Sequence, residues 1–198
     1  MIKLNFFLLL NFFLMIKSEN CQNKHPCSCS IEQTKNKNEF QLFIFECINI
    51  LEKIPEIQNI KSIHINSKAI SSFPDNLVSN ETCFYKNITR LVITNTNLNS
   101  IKKSDFKCLS KLEQLVLNLN ELTIIDAEVF KNSGEMIQLY LNNNKITDVD
   151  QNSFCGLSKL LLLDLNRNYI KSLPENICFP QQIEKLYLSN NQIKSKIL

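Results

Sequence analysis

Apolar and polar positions alternate in this chain on two rhythms, one of two residues and one of 24. Leu112–Ile125 reads LEQLVLNLNELTII, and MIQLYLNNNKITDV and LLLLDLNRNYIKSL follow it at successive intervals of 24 residues. All three fit the template LxxLxLxxNxLxxL. Leu112, Leu115, Leu117, Asn120, Leu122 and Ile125 hold its marked places first, then Met136, Leu139, Leu141, Asn144, Ile146 and Val149, then Leu160, Leu163, Leu165, Asn168, Ile170 and Leu173. The LxL centre alternates sides as a strand does, so each copy predicts one short strand. A fixed period of this length is the signature of a solenoid, whose turns bury their apolar sides against one another.

The template extends in both directions. Ile60, Ile63, Ile65 and Ile70 fit it with Lys68 at the Asn place, and Ile88, Leu91, Ile93 and Leu98 fit it with Thr96 there. Downstream, Ile183, Leu186, Leu188, Asn191 and Ile193 give a last copy. The pattern predicts about six repeats starting near 60, 88, 112, 136, 160 and 183, preceded by a strand around Phe40–Phe45. Asn120, Asn144, Asn168 and Asn191 are expected to point inward as a structural ladder, since a side-chain amide can both donate to and accept from the backbone of adjacent turns. Thr96 fills that role only in part, and Lys68 should turn outward. Phe106, Phe130 and Phe154, again 24 apart, predict a stacked spine on the return side of the solenoid.

The first 20 residues have a basic start at Lys3, an apolar run from Leu4 to Ile16 and a polar exit. That run is short for a membrane span, so residues 1–20 read as a secretory leader, with no other stretch long enough to cross a bilayer. Eight cysteines behind such a leader imply disulfides in an oxidising compartment. A zinc site is the rival reading for Cys27 and Cys29, but paired CxxC spacing is missing and His25 is the only nearby histidine, so no metal is expected. Cys83, Cys108, Cys155 and Cys178 each lie four or five residues before a repeat start. Equivalent places in neighbouring turns come within disulfide reach, which predicts Cys83–Cys108 and Cys155–Cys178, with free buried thiols as the alternative.

The repeated template resembles the extracellular leucine-rich repeat family. The resemblance implies an α/β fold: a right-handed solenoid or horseshoe with a parallel concave β-sheet and a convex side of loops and short helices. The spacing CxxxxxCxC from Cys21 to Cys29, with Cys47 beside the strand-like FQLFIF, resembles that family's cysteine-rich N-terminal cap. The resemblance makes 21–59 a cap with its strand and 60–198 the repeats, and implies Cys21–Cys29 and Cys27–Cys47 pairing. Sequence alone leaves all three connectivities of those four cysteines open. The family ordinarily closes its last repeat with a second cysteine-rich cap, and none is legible before Leu198. A truncated receptor or adhesion ectodomain is therefore one reading. Another follows from a looser resemblance to the repeat subunit of invertebrate luciferase-type assemblies, which implies a non-catalytic, stabilising subunit of a secreted enzyme complex.

Composition narrows the function further. The formal charge is +3, and two of the basic residues, Lys3 and Lys17, fall in the leader, so the remainder is close to neutral. No basic stripe suggests nucleic acid, and two glycines leave little for a phosphate-cradling loop. His25 and His64 are the only histidines, and no nucleophile, zincin or Walker motif accompanies them. No enzyme and no cofactor is expected. What remains is a surface, and the outward template places form three columns across the sheet. The third place carries Ser62, Arg90, Gln114, Gln138, Leu162 and Lys185. The fifth carries His64, Val92, Val116, Tyr140, Asp164 and Tyr187. The eighth carries Ser67, Asn95, Leu119, Asn143, Arg167 and Asn190. Tyr and Arg are enriched at binding hot spots, so Tyr140, Tyr187, Asp164, Arg167, Arg90 and His64 are the candidate contacts for an extracellular protein or glycan. Leu119 and Leu162 facing outward would lack a reason without a partner. Asn80-Glu81-Thr82 and Asn87-Ile88-Thr89 are N-glycosylation sequons.

Overall fold

The computed structural model describes residues 14–15, 28–33, 40–45 and 60–194, apart from 69, 75–76, 78–82 and 84. Its strands are β1 (Leu14–Met15), β2 (Ser28–Gln33), β3 (Phe40–Phe45), β4 (Ile60–Asn66), β5 (Arg90–Ile93), β6 (Gln114–Val116), β7 (Ile124–Ile125), β8 (Gln138–Tyr140), β9 (Asp148–Val149), β10 (Leu162–Asp164) and β11 (Lys185–Tyr187). Nine of them form one sheet in the order β1-β2-β3-β4-β5-β6-β8-β10-β11. From β3 onward every pairing is parallel, while β2 runs antiparallel to both β1 and β3. The strand β1 falls within the stretch read as a leader.

The register follows the template. Ile63 pairs with Leu91, Leu91 with Leu115, Leu115 with Leu139, Leu139 with Leu163 and Leu163 with Leu186, so the second apolar place of all six repeats forms one inward row. Side chains from Ile63 to Ile170 at the marked apolar places are sealed from solvent and form one continuous core. Six strands thus bound five turns of a solenoid. The last repeat is looser: Ile183 and Leu188 are half-buried and Leu186 is 37% exposed, since no further turn among the described residues lies against them.

After β5, β6, β8, β10 and β11 a left-handed residue swings the chain off the sheet. Asn95, Leu119, Asn143, Arg167 and Asn190, all at the eighth template place, have φ of 54°, 59°, 56°, 55° and 58°. The next marked residue then turns inward. Asn144 donates to the carbonyls of Leu117 and Leu141 (both 2.9 Å) and accepts from the Leu122 N–H (3.1 Å). Asn168 makes the same set with Leu141, Leu165 and Ile146, and Asn191 with Leu165, Leu188 and Ile170. Asn120 donates to Ile93 and Leu117, but its oxygen meets a substitute arrangement in the preceding turn. There Thr96 donates its hydroxyl to Asn120 Oδ1 (2.6 Å) and accepts from the Leu98 N–H (3.1 Å), so one hydroxyl relays what an amide bonds directly elsewhere. Lys68 is exposed.

The return side is made of turns more than helices. Among the described residues it holds one 3-10 turn, Lys103–Phe106, and a second parallel sheet of two short strands, with β7 pairing β9. The expected convex side of loops and short helices is thus mostly loops and turns, with few helices. Stacked turns already satisfy their backbone groups through bonds such as Thr147 N–H to the Thr123 carbonyl, so helical bonding is not needed there. The phenylalanine spine runs beyond its three periodic members. Ring centroids follow from Phe73 to Phe106 (5.3 Å), Phe130 (5.2 Å), Phe154 (6.4 Å) and Phe179 (5.9 Å). Gly156 fits where the chain presses on the previous turn, since a Cβ there would stand 2.5 Å from both Lys131 Cα and the Phe130 carbonyl oxygen. The structure joins Cys83 to Cys108 and Cys155 to Cys178, each with Cα atoms 5.2 Å apart.

Candidate binding face of the sheet

Strand pairing puts the outward side chains in rows. Val92, Val116 and Tyr140 are direct register neighbours, and Asp164 and Tyr187 continue the row. Adjacent strands lie about 4.8 Å apart, so the first three make a half-buried apolar band roughly 10 Å long. One place earlier, Arg90, Gln114, Gln138, Leu162 and Lys185 form a parallel row. The Gln114 amide donates to Gln138 Oε1, and Tyr140 Oη approaches the same oxygen at 3.4 Å. The glutamines therefore hold one another, and Tyr140 is steadied from the side.

The six candidate contacts are not equivalent. Arg90 and Arg167 are exposed, Tyr187 lies open on the last strand, and Tyr140 is half-buried. Asp164 Oδ1 accepts from the Asn166 N–H (2.9 Å), so this carboxylate caps the strand exit as well as facing out. His64 Nε2 lies 2.7 Å from Ser62 Oγ. Burial, assisted by the Arg90 charge, pushes its pKa down to about 4, so the ring is neutral at physiological pH. Tyr140, Asp164, Arg167 and Tyr187 occupy adjacent repeats, whereas His64 and Arg90 sit at the other end of the band.

Two features of this surface were not assigned from sequence, the exposure of Tyr169 and the left-handed backbone at Leu119, whose outward direction was expected. Tyr169, two residues beyond Arg167, is 48% exposed, although the three columns pass it by at the tenth place. Leu119 is 51% exposed and is also held in the left-handed region, which costs a residue other than glycine about 1–2 kcal/mol. Asparagine tolerates that region well, and its presence at Asn95, Asn143 and Asn190 was the sequence signal for the conformation. Leu162, by contrast, is half-buried between neighbouring strands.

Of the remaining predicted sites, Asn87 is half-buried and its Oδ1 accepts from Lys111 Nζ (3.0 Å). Asn80 and the Cys21–Cys29 and Cys27–Cys47 pairings rest on positions outside the described residues. Among the described residues no three His, Cys, Asp or Glu side chains cluster as metal ligands, and no helix is long and apolar enough to cross a membrane.

Solved structures share this architecture. The Toll–Spatzle complex of Drosophila contains a chain that matches 68% of this one at 22% identity with a TM-score of 0.57. An internalin of Listeria monocytogenes matches 72% of it at 21% identity with a TM-score of 0.53. The matched regions are 19% and 37% of those two chains, so this chain spans well under half of either. No curated protein matches it in sequence. The sequence profile of the leucine rich repeat matches residues 86–144 and 134–193, more than half of the chain. The chain belongs to the leucine-rich repeat family.

Proposed function

We propose that this protein is an extracellular binding module that recognises a protein partner through the outward, concave face of its sheet and performs no catalysis. The observation that carries the reading is the band Val92–Val116–Tyr140, apolar and pointing away from the core, bordered by exposed Arg90 and Arg167. An apolar centre with aromatic and arginine contacts and a polar border is the anatomy of a protein interface. A glycan would find few hydrogen-bonding groups at Val92 and Val116. The Drosophila relative in fold is described as a complex, in keeping with a protein partner. Secretion is supported by the leader-like residues 1–20 and by the two disulfides. Asn87, and Asn80 before it, are the candidate glycan acceptors.

A panel of recombinant extracellular domains, scanned for binding to the full chain by biolayer interferometry, tests the reading. A domain that binds should lose about 30-fold in affinity to Arg90→Ala/Tyr140→Ala, on the order of 2 kcal/mol for a hot-spot pair. It should keep its affinity for Asn132→Ala, an exposed position on the return side. The reverse ranking would place the partner on the other side of the solenoid.

A further inference from the structure

We infer that the rim where the strands exit, across the third to fifth repeats, decides partner specificity, and that it takes an acidic protein segment carrying large apolar side chains. The inference rests on the protein-binding reading and narrows it. At the eighth template place the backbone is left-handed in five repeats, and three of them hold asparagine. Leu119 and Arg167 are the departures. Both are exposed, and neither fills a space in the core that asparagine would leave open. Side chains poorly matched to their backbone and aimed at solvent mark a surface used for contact.

Charge indicates what that contact is. Among the described residues, the Arg167 guanidinium makes no ion pair or hydrogen bond, whereas Lys145 on the same rim is paired with Glu121. Glu121 is the only carboxylate in the seventh to tenth places of these three repeats, so the rim presents one unneutralised cation. Exposed Tyr169 follows two residues later in the same repeat, and Leu119 stands two repeats away, about 10 Å at the usual strand spacing. A segment with an acidic side chain for Arg167 and apolar side chains for Tyr169 and Leu119 satisfies all three.

The test is selection of a phage-displayed library of random 12-residue peptides on the full chain. Enriched peptides should carry Asp or Glu beside large apolar residues and bind Leu119→Asn and Arg167→Asn at least 10-fold more weakly. Both variants should unfold at an equal temperature or about 3 °C higher, since asparagine suits the backbone. Peptides without acidic residues, equal binding to the two variants, or lower unfolding temperatures would each overturn the proposal. Loss of binding confined to Tyr140→Ala would overturn it too, while leaving the protein-binding reading standing. No enrichment over an unrelated immobilised protein would remove both.

Discussion

The amide ladder works one residue at a time, each asparagine tying its own turn to the one before it. Removing Asn144 orphans the Leu122 N–H in a sealed core, at roughly 1–3 kcal/mol for a buried group left unpaired, while the Leu117 and Leu141 carbonyls each lose one of two amide donors and keep Asn120 and Asn168. Asn144→Ala should therefore cost about 1–3 kcal/mol in urea denaturation, on the order of one such group. Asn191→Ala should cost less, because the same bonds are only part-buried in the last repeat. Equal losses would mean that burial does not set the ladder's worth. His64 gives a second residue-scale prediction. Its folded pKa of about 4 lies below the ordinary 6.5. The unfolded chain therefore binds the extra proton first as pH falls. The stabilisation is present above pH 6.5 and is lost between 6.5 and 4. Half-exposure of the ring halves the full linkage value, leaving a loss on the order of 1–2 kcal/mol. Subtracting the stability–pH profile of His64→Gln should isolate that slope, and parallel profiles would contradict it.

At the scale of an element, the return side is held by close stacking. Gly156→Ala drives a methyl group into the backbone of Phe130 and Lys131, and overpacking of this kind costs about 1–3 kcal/mol. Phe130→Ala empties the middle of the spine, about 3–5 kcal/mol by the usual large-to-small loss. Thermal melts of both should fall below wild type, Phe130→Ala the further. Peptide mapping without reductant should recover Cys83–Cys108 and Cys155–Cys178, whose loops of 25 and 23 residues are each worth about 3 kcal/mol by chain entropy. The spine also shows what a period can and cannot reveal. Phe106, Phe130 and Phe154 lie 18 residues after their repeat starts, so their stacking was legible in the sequence. Phe73 lies only 13 after Ile60, and Phe179 lies 19 after Leu160, and both escaped. The irregular first turn and the shortened last interval bring these rings to the same stack at a different count. The β7–β9 sheet was hidden for another reason. Its inward residues Ile125 and Val149 read simply as core places, and two residues are too few to show alternation.

For the molecule as a whole, the inward pattern had to be repeated in every turn to build a core, and so it could be read. The outward positions had no such constraint. Sequence could place Tyr140 and Arg167 on the open face, but it could not show that Asp164 caps a strand exit or that Leu119 sits in a left-handed turn. It missed Tyr169 because strand alternation stops before the tenth place. The central claim is that the open face of the sheet, and not the return side, meets the partner. A photo-crosslinking residue placed at Val116 on the face, and separately at Asn132 on the return side, tests it most directly in the 198-residue chain. The account predicts one discrete protein adduct from Val116, identified by mass spectrometry, and none from Asn132. Adducts from Asn132 with none from Val116 would contradict it.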